Sequence, residues 1–233
     1  TVQQFAMRRP LQSGTLHDLG RRHAEHLAEF VSAAHRHELT ADAARVDAAL
    51  RSRLDHLRSA FEWSVDSAPQ TAIRIVRALH EWSINHLVYD VNPWAERVLV
   101  AQRQLPDDAT RAELAGLAAS AAWFRGDERA AASFVDEAVD ASRRGDTQIT
   151  VHTANTRLAL AYADAGAPDD LVIDVLTAAA RDPDPFWAVN ASVVMALGAS
   201  TIGLRDAAEH FAREAARAAT SSSGPVVHAW VSY

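Results

Sequence analysis

The sequence predicts an all-α protein, an α-solenoid of stacked helix pairs behind an N-terminal helical connector. Alanine and leucine are abundant, apolar residues recur at three and four, and no stretch alternates like a strand. Glycine turns also recur. Gly126 is followed five residues on by Ala131 and twelve on by Ala138; Gly166 has Leu171 and Ala178 at those distances, and Gly203 has Ala208 and Ala215. One such pair cannot bury its own apolar face, so neighbours are expected to stack around a continuous core.

In chain order, residues 1–14 read as a helical lead-in that ends at Ser13-Gly14. Thr15 and Asp18 make a capping-box signal before the apolar stripe Leu16, Leu19, Ala24, Leu27, Phe30 and Val31. Thr40 opens a second helix through Val46, Leu50, Leu54, Leu57, Phe61 and Val65. Together these form the connector, residues 15–66. From 67 to 233 the chain reads as helix pairs. Ser67-Ala68-Pro69-Gln70 caps the stripe Ile73, Val76, Leu79 and Leu87. His86 takes the turn position of a weaker unit, with Val91 and Val98 in step. Asn92-Pro93 and Asp184-Pro185 each put a cap residue before a proline suited to the first helical position. Breaks at Pro106-Asp107, Gly126-Asp127, Gly145-Asp146 and Ala167-Pro168 are short, which makes neighbouring helices antiparallel.

The turn positions lie 40, 40 and 37 residues apart. The tetratricopeptide repeat is shorter, about 34 residues, and favours an aromatic where Tyr162 stands. At the C-terminal end, Pro225 to Val231 starts another amphipathic helix and stops. That leaves Val226, Val227, Trp230 and Val231 as an expected uncapped apolar stripe, a cause of self-association, and marks the chain as cut from something longer.

Composition excludes several chemistries. There is no cysteine, so thiolate zinc sites, disulfides and thiol nucleophiles are out. All 23 basic residues are arginine, which removes the P-loop lysine, Schiff-base chemistry and a lysine general base. Neither a glycine-rich phosphate loop nor a Gly-x-Ser-x-Gly elbow is present. A formal charge of −7 argues against a nucleic-acid face. No apolar window reaches the roughly 18 residues of a membrane span.

The opening string "TVQQFAMRRPLQSGTLHDLGRRHAEHLAEF" resembles the segment that leaves the ATPase and winged-helix core of actinobacterial STAND-type (NB-ARC-type) signal-transducing NTPase regulators. That group includes LuxR-type regulators, antibiotic-pathway activators and adenylate cyclase-linked proteins. Thr1, Val2, Gln4, Phe5 and Ala6 fall on its first pattern, and Ser13-Gly14 with Arg22-His23-Ala24 fall on the next. "LDHLRSAFEW" is similar to another family string through Asp55, Leu57, Arg58, Ala60 and Trp63. "WAERVL" and "FRGDERAAASFVDEA" look like its tetratricopeptide-like repeats. Pro10, His56 and His86 depart from the family's leucine, asparagine and glycine. The resemblance covers residues 1 to about 220. It implies a cytoplasmic, non-enzymatic sensor or scaffold arm of a transcription regulator, without a cofactor in this chain. Such an arm receives a small-molecule or protein signal and makes intramolecular contact with the upstream core. A freestanding adaptor for protein–protein interaction is the alternative, and an enzyme with its site in the connector is a third reading.

Candidate chemistry is thin in the residues themselves. His23 and His26 flank Glu25 and share a helix face, yet no third ligand is implied, so no metal site is expected there. His35 and His37 beside Glu38 point apart. Asp55-His56 with Ser52 or Ser59, and likewise His80-Glu81, have the residue types but no oxyanion hole. Of the six tryptophans, Trp63, Trp82 and Trp94 recur at helical spacing and read as core, and Arg21-Arg22 and Arg143-Arg144 read as solvated faces. Any ligand is expected in a groove lined by the first helix of each pair. Anchored on the turn glycines, the inward stripes are Glu113, Gly116, Ser120, Trp123; then Thr153, Thr156, Leu160, Ala163; then Asn190, Val193, Leu197, Ser200. Glu113, Ser120, Trp123, Thr153, Thr156, Asn190 and Ser200 are the candidate binding residues, with Trp123 the only tryptophan expected to face inward.

Overall fold

The computed structural model describes residues 13–101, 105, 107–164, 166 and 168–232. Among these, all regular structure is helical. The helices are α1 (Ser13–Glu38), α2 (Ala43–Arg51), α3 (Leu54–Ser67), α4 (Pro69–Asn85), α5 (Trp94–Ala101) and α6 (Asp108–Phe124). They continue as α7 (Glu128–Arg144), α8 (Val151–Ala163), α9 (Asp170–Ala179), α10 (Pro185–Thr201), α11 (Arg205–Ala219) and α12 (Pro225–Val231). The expected lead-in, with Thr1 to Pro10, lies outside the described residues.

Local chemistry accounts for most helix starts. Asp107, Asp127, Thr150, Asp169 and Asp184 each accept a hydrogen bond from a backbone N–H of the first turn. Such a cap contributes about 1 kcal/mol. Pro69, Pro185 and Pro225 stand at helix starts, where a missing N–H costs nothing. Gly126 and Gly203 take left-handed backbone just after α6 and α10, as turn glycines should.

Several expectations are corrected. Ser13-Gly14 is not a break and Thr15 is not a cap, because both lie within α1; Asp18 instead pairs with Arg21 and Arg22 on the helix surface. Leu16 and Leu19 are exposed, while Trp63 of α3 packs on His17 and Gly20 of the same turns. The second connector helix is two, α2 and α3, interrupted at Ser52-Arg53. No side-chain cap precedes α4, and Asn92 is buried with Oδ1 unpartnered rather than capping α5. In the weaker unit the left-handed residue is Leu87, one beyond His86, which is the C-cap.

The first helices of successive pairs, α4, α6, α8 and α10, pack side by side in file, and α7, α9 and α11 lie beside their partners. Connector and pairs share one apolar core running from Ala24 and Leu27 of α1 through Phe61, Trp82 and Trp94 to Leu114 and Ala138. A second core joins α6 to α10 through Leu158, Leu176 and Met195. Ion pairs cross between helices at Arg97–Glu62, Arg125–Glu96 and Arg144–Asp108, each half-exposed and contributing about 0–1 kcal/mol.

The C-terminal stripe is not bare. Val227 is buried, and Val226, Trp230 and Val231 pack with Phe186, Val189 and Val193 of α10 and with Leu39 from the end of α1. Trp230 Nε1 donates to Asn85 Oδ1 at the end of α4 (3.2 Å). The chain therefore returns on itself, and α12 bridges the two halves.

Candidate functional site

A cavity of about 350 Å³ opens inside this return. Helix α4 supplies His80, Glu81 and Ile84, and α6 supplies Ser120, Trp123 and Phe124. The lining face of α8 is His152, Asn155, Thr156, Ala159 and Tyr162, at the three-and-four spacing of one helical face. Helix α10 adds Trp187, Asn190, Val194, Leu197, Gly198 and Thr201, and Trp230 of α12 completes the wall. Gly198 is the one lining position where a side chain has no room: a Cβ there would collide with the Tyr162 ring. The surfaces are mostly apolar and aromatic with a few converging polar groups, and among the described residues no arginine lines them. The volume suits a small molecule.

The polar groups gather on one side. Glu81 and His80 are neighbours on α4, and His152 comes from α8; their ligand atoms all lie within 4.8 Å of one another. His152 Nε2 is 3.2 Å from Glu81 Oε1, near enough to attract but without hydrogen-bond geometry, so Oε1 has no hydrogen-bond partner. His80 Nε2 has none either. The His80 and His152 rings meet edge to face at 4.7 Å, and Trp187 stands edge to face on His152 at 5.3 Å. Burial pushes the Glu81 carboxyl up to about 8, with the negative charge of Glu38 adding to it. Burial holds His152 down to about 4 and His80 well below the usual imidazole value. At neutral pH the free protein therefore carries an uncharged carboxyl and two neutral imidazoles here. Asn155 Nδ2 donates to Asn190 Oδ1 at 2.6 Å, which leaves Asn155 Oδ1 buried and unpartnered. Each such orphan costs about 1–3 kcal/mol, so three beside one cavity call for a reason.

Four of the seven candidate residues line this cavity: Ser120, Trp123, Thr156 and Asn190. Three do not. Glu113 pairs with Arg77 of α4 on the surface. Thr153 is fully buried against Gly116, and its hydroxyl meets that of Thr150 at 3.0 Å. Ser200 faces a separate groove beside α11. The inward face of α8 is thus rotated about one residue from the expected stripe. Trp123 is not the only inward tryptophan, since Trp187 and Trp230 join it; Trp82 and Trp94 are core, and Trp63 packs half-buried on Gly20 and His17.

The opening histidines stay apart from any such cluster. Glu25 pairs with Arg21, and His23 meets the ring of His56 edge to face at 5.8 Å. His35 reaches Glu38 (3.2 Å) across one turn. Sequence reasoning set His80-Glu81 aside and passed over His152. The available signal was His80-Glu81 late in one helix and His152 in the first turn of another, with nothing in the spacing to join them. Comparison with known protein families, curated proteins and solved structures found no match.

Proposed function

We propose that this chain is the signal-receiving helical arm of a signal-transducing NTPase transcription regulator. In this reading it is a solenoid of tetratricopeptide-like pairs that holds a small amphipathic ligand in the cavity between α4, α6, α8 and α10. The observation that carries it is the cavity itself: three tryptophans with Phe124 and Tyr162 around unpartnered polar atoms of Glu81, His80 and Asn155. Aromatic walls take apolar bulk, and a few placed polar groups set orientation. A ligand there touches four successive first helices and α12 at once, so its binding energy can stiffen the whole file and be passed to a cytoplasmic ATPase and winged-helix core upstream. The resemblance supplies that last link. The reading is non-enzymatic, and the chain is expected neither to bind nor to hydrolyse ATP.

The test is a screen of small amphipathic metabolites by quenching of tryptophan fluorescence, followed by calorimetry on any that bind. Trp123→Ala, Thr156→Ala and Asn190→Ala are each expected to weaken a true signal about tenfold, the loss of one good contact of roughly 1.4 kcal/mol. If all three leave affinity within about twofold, the cavity is not the site. A P-loop and winged helix encoded directly before Thr1 favour the arm; an independent start codon there favours the freestanding adaptor.

A further inference from the structure

We propose that His80, Glu81 and His152 form a binding site for one divalent transition-metal ion of the zinc type, with the open coordination position facing the cavity. Two imidazoles and one carboxylate are a donor set zinc accepts, and three protein ligands leave a fourth place for water or a ligand atom. The set is preformed rather than scattered: the ligand atoms already lie within 4.8 Å of one another, and His152 Nε2 is 3.2 Å from Glu81 Oε1. Donors around a four-coordinate zinc stand about 3.3 Å apart, so small side-chain rotations close the shell.

A second observation points the same way. His80 is 5% exposed and Glu81 8%, yet His80 Nε2 and Glu81 Oε1 have no hydrogen-bond partner. A folded chain seldom leaves an imidazole nitrogen and a carboxylate oxygen bare, side by side, unless something else satisfies them. Among the described residues no arginine lines the cavity, so no guanidinium there competes with an ion for the Glu81 carboxyl. Trp187 packs edge to face on His152 and restricts the rotation of that ring. All three ligands line the cavity, so the fourth position lies at its wall. This goes beyond the proposed function and does not rest on it, because the ion can be tested with no organic ligand present.

The experiment uses the intact chain, stripped with a chelator, titrated with Zn²⁺ by calorimetry and with Co²⁺ by visible absorption. The expected result is one ion per chain with micromolar or tighter affinity, and the intense bands of four-coordinate Co²⁺. His152→Ala and Glu81→Gln should each weaken binding about a hundredfold, whereas the double variant His23→Ala with His26→Ala should leave it unchanged. Absence of one-to-one binding overturns the proposal, as do the weak bands of six-coordinate Co²⁺, or affinity in Glu81→Gln within about threefold of the parent. Glu81→Gln is nearly isosteric and the Co²⁺ spectrum needs no variant, so a misfolded His152→Ala does not protect the idea.

Discussion

Glu38 ends α1 with its carboxyl 1% exposed, and burial pushes its pKa up while the His35 ring works against that shift. His35 in turn is raised, chiefly by its hydrogen bond to Glu38. Facing the pair are His86 and Glu81 from α4, with Asp184 and Arg36 near His35. Both shifts have one sign. Glu38 binds its proton more tightly folded than unfolded, so its contribution falls as pH rises from its ordinary 4.5 through the folded value. His35 contributes fully below 6.5, and that is lost as pH rises through its raised folded value. The stability this pair adds is therefore expected to fall between pH 5 and pH 8, so the difference in urea stability between the metal-free parent and Glu38→Gln should fall over that range; a difference that does not change with pH refutes the assignment. Gly198 gives a second prediction at this scale. With the Tyr162 ring against it, Gly198→Ala should cost about 1–3 kcal/mol by overpacking, read as a lower urea midpoint, and should move Tyr162 at the cavity wall.

Helix α12 has only seven residues, too short to be stable alone, so its order depends on what it touches. Val227 is its buried anchor, Trp230 its polar tie to Asn85, and Gly224 lies against the Leu39 carbonyl where a Cβ would collide with rigid backbone. Val227→Ala removes two buried methyl groups, about 1.6 kcal/mol at the usual value per carbon. The expected outcome is loss of amide-exchange protection across residues 225–231 while α7 is unaffected. Unchanged protection in α12 would show that it does not depend on this anchor. Gly224→Ala should produce the same loosening by pushing rather than by vacating.

At the scale of the molecule, the return of the chain to Leu39 and Asn85 links helices that are distant in sequence. An open file of pairs passes stability only to nearest neighbours. A file closed by α12 instead passes it across the gap. Gly198→Ala on α10 is therefore expected to lower exchange protection in α1 and α4 as well as in α8, and chemical unfolding should remain a single transition by circular dichroism and tryptophan fluorescence alike. Two separated transitions, or protection in α1 indifferent to α10, would show that the halves are independent. The same closure made the cavity illegible beforehand. Ser120, Trp123, Thr156 and Asn190 could be picked from helical spacing, but Trp230 enters only because α12 folds back, and His152 meets His80-Glu81 only because α8 lies within reach of α4.

The sequence by itself determined the helical class, the helix start capped by Asp184, the breaks at Asp107 and Asp127 where caps also form, and the glycine turns at Gly126 and Gly203. Those follow from short-range hydrogen bonds and backbone sterics, which a few adjacent residues contain in full. Tertiary structure decided which face of each helix looks inward. Helices α8 and α10 have small or apolar residues nearly all round, so periodicity does not single out one side, and partners on several sides settle the rotation. Thr153 therefore turns to Gly116 and Ser200 to α11, while His152 and Tyr162 face the cavity. The orphaned atoms of His80 and Glu81 likewise exist only in the fold, because burial against distant helices is what takes their water away.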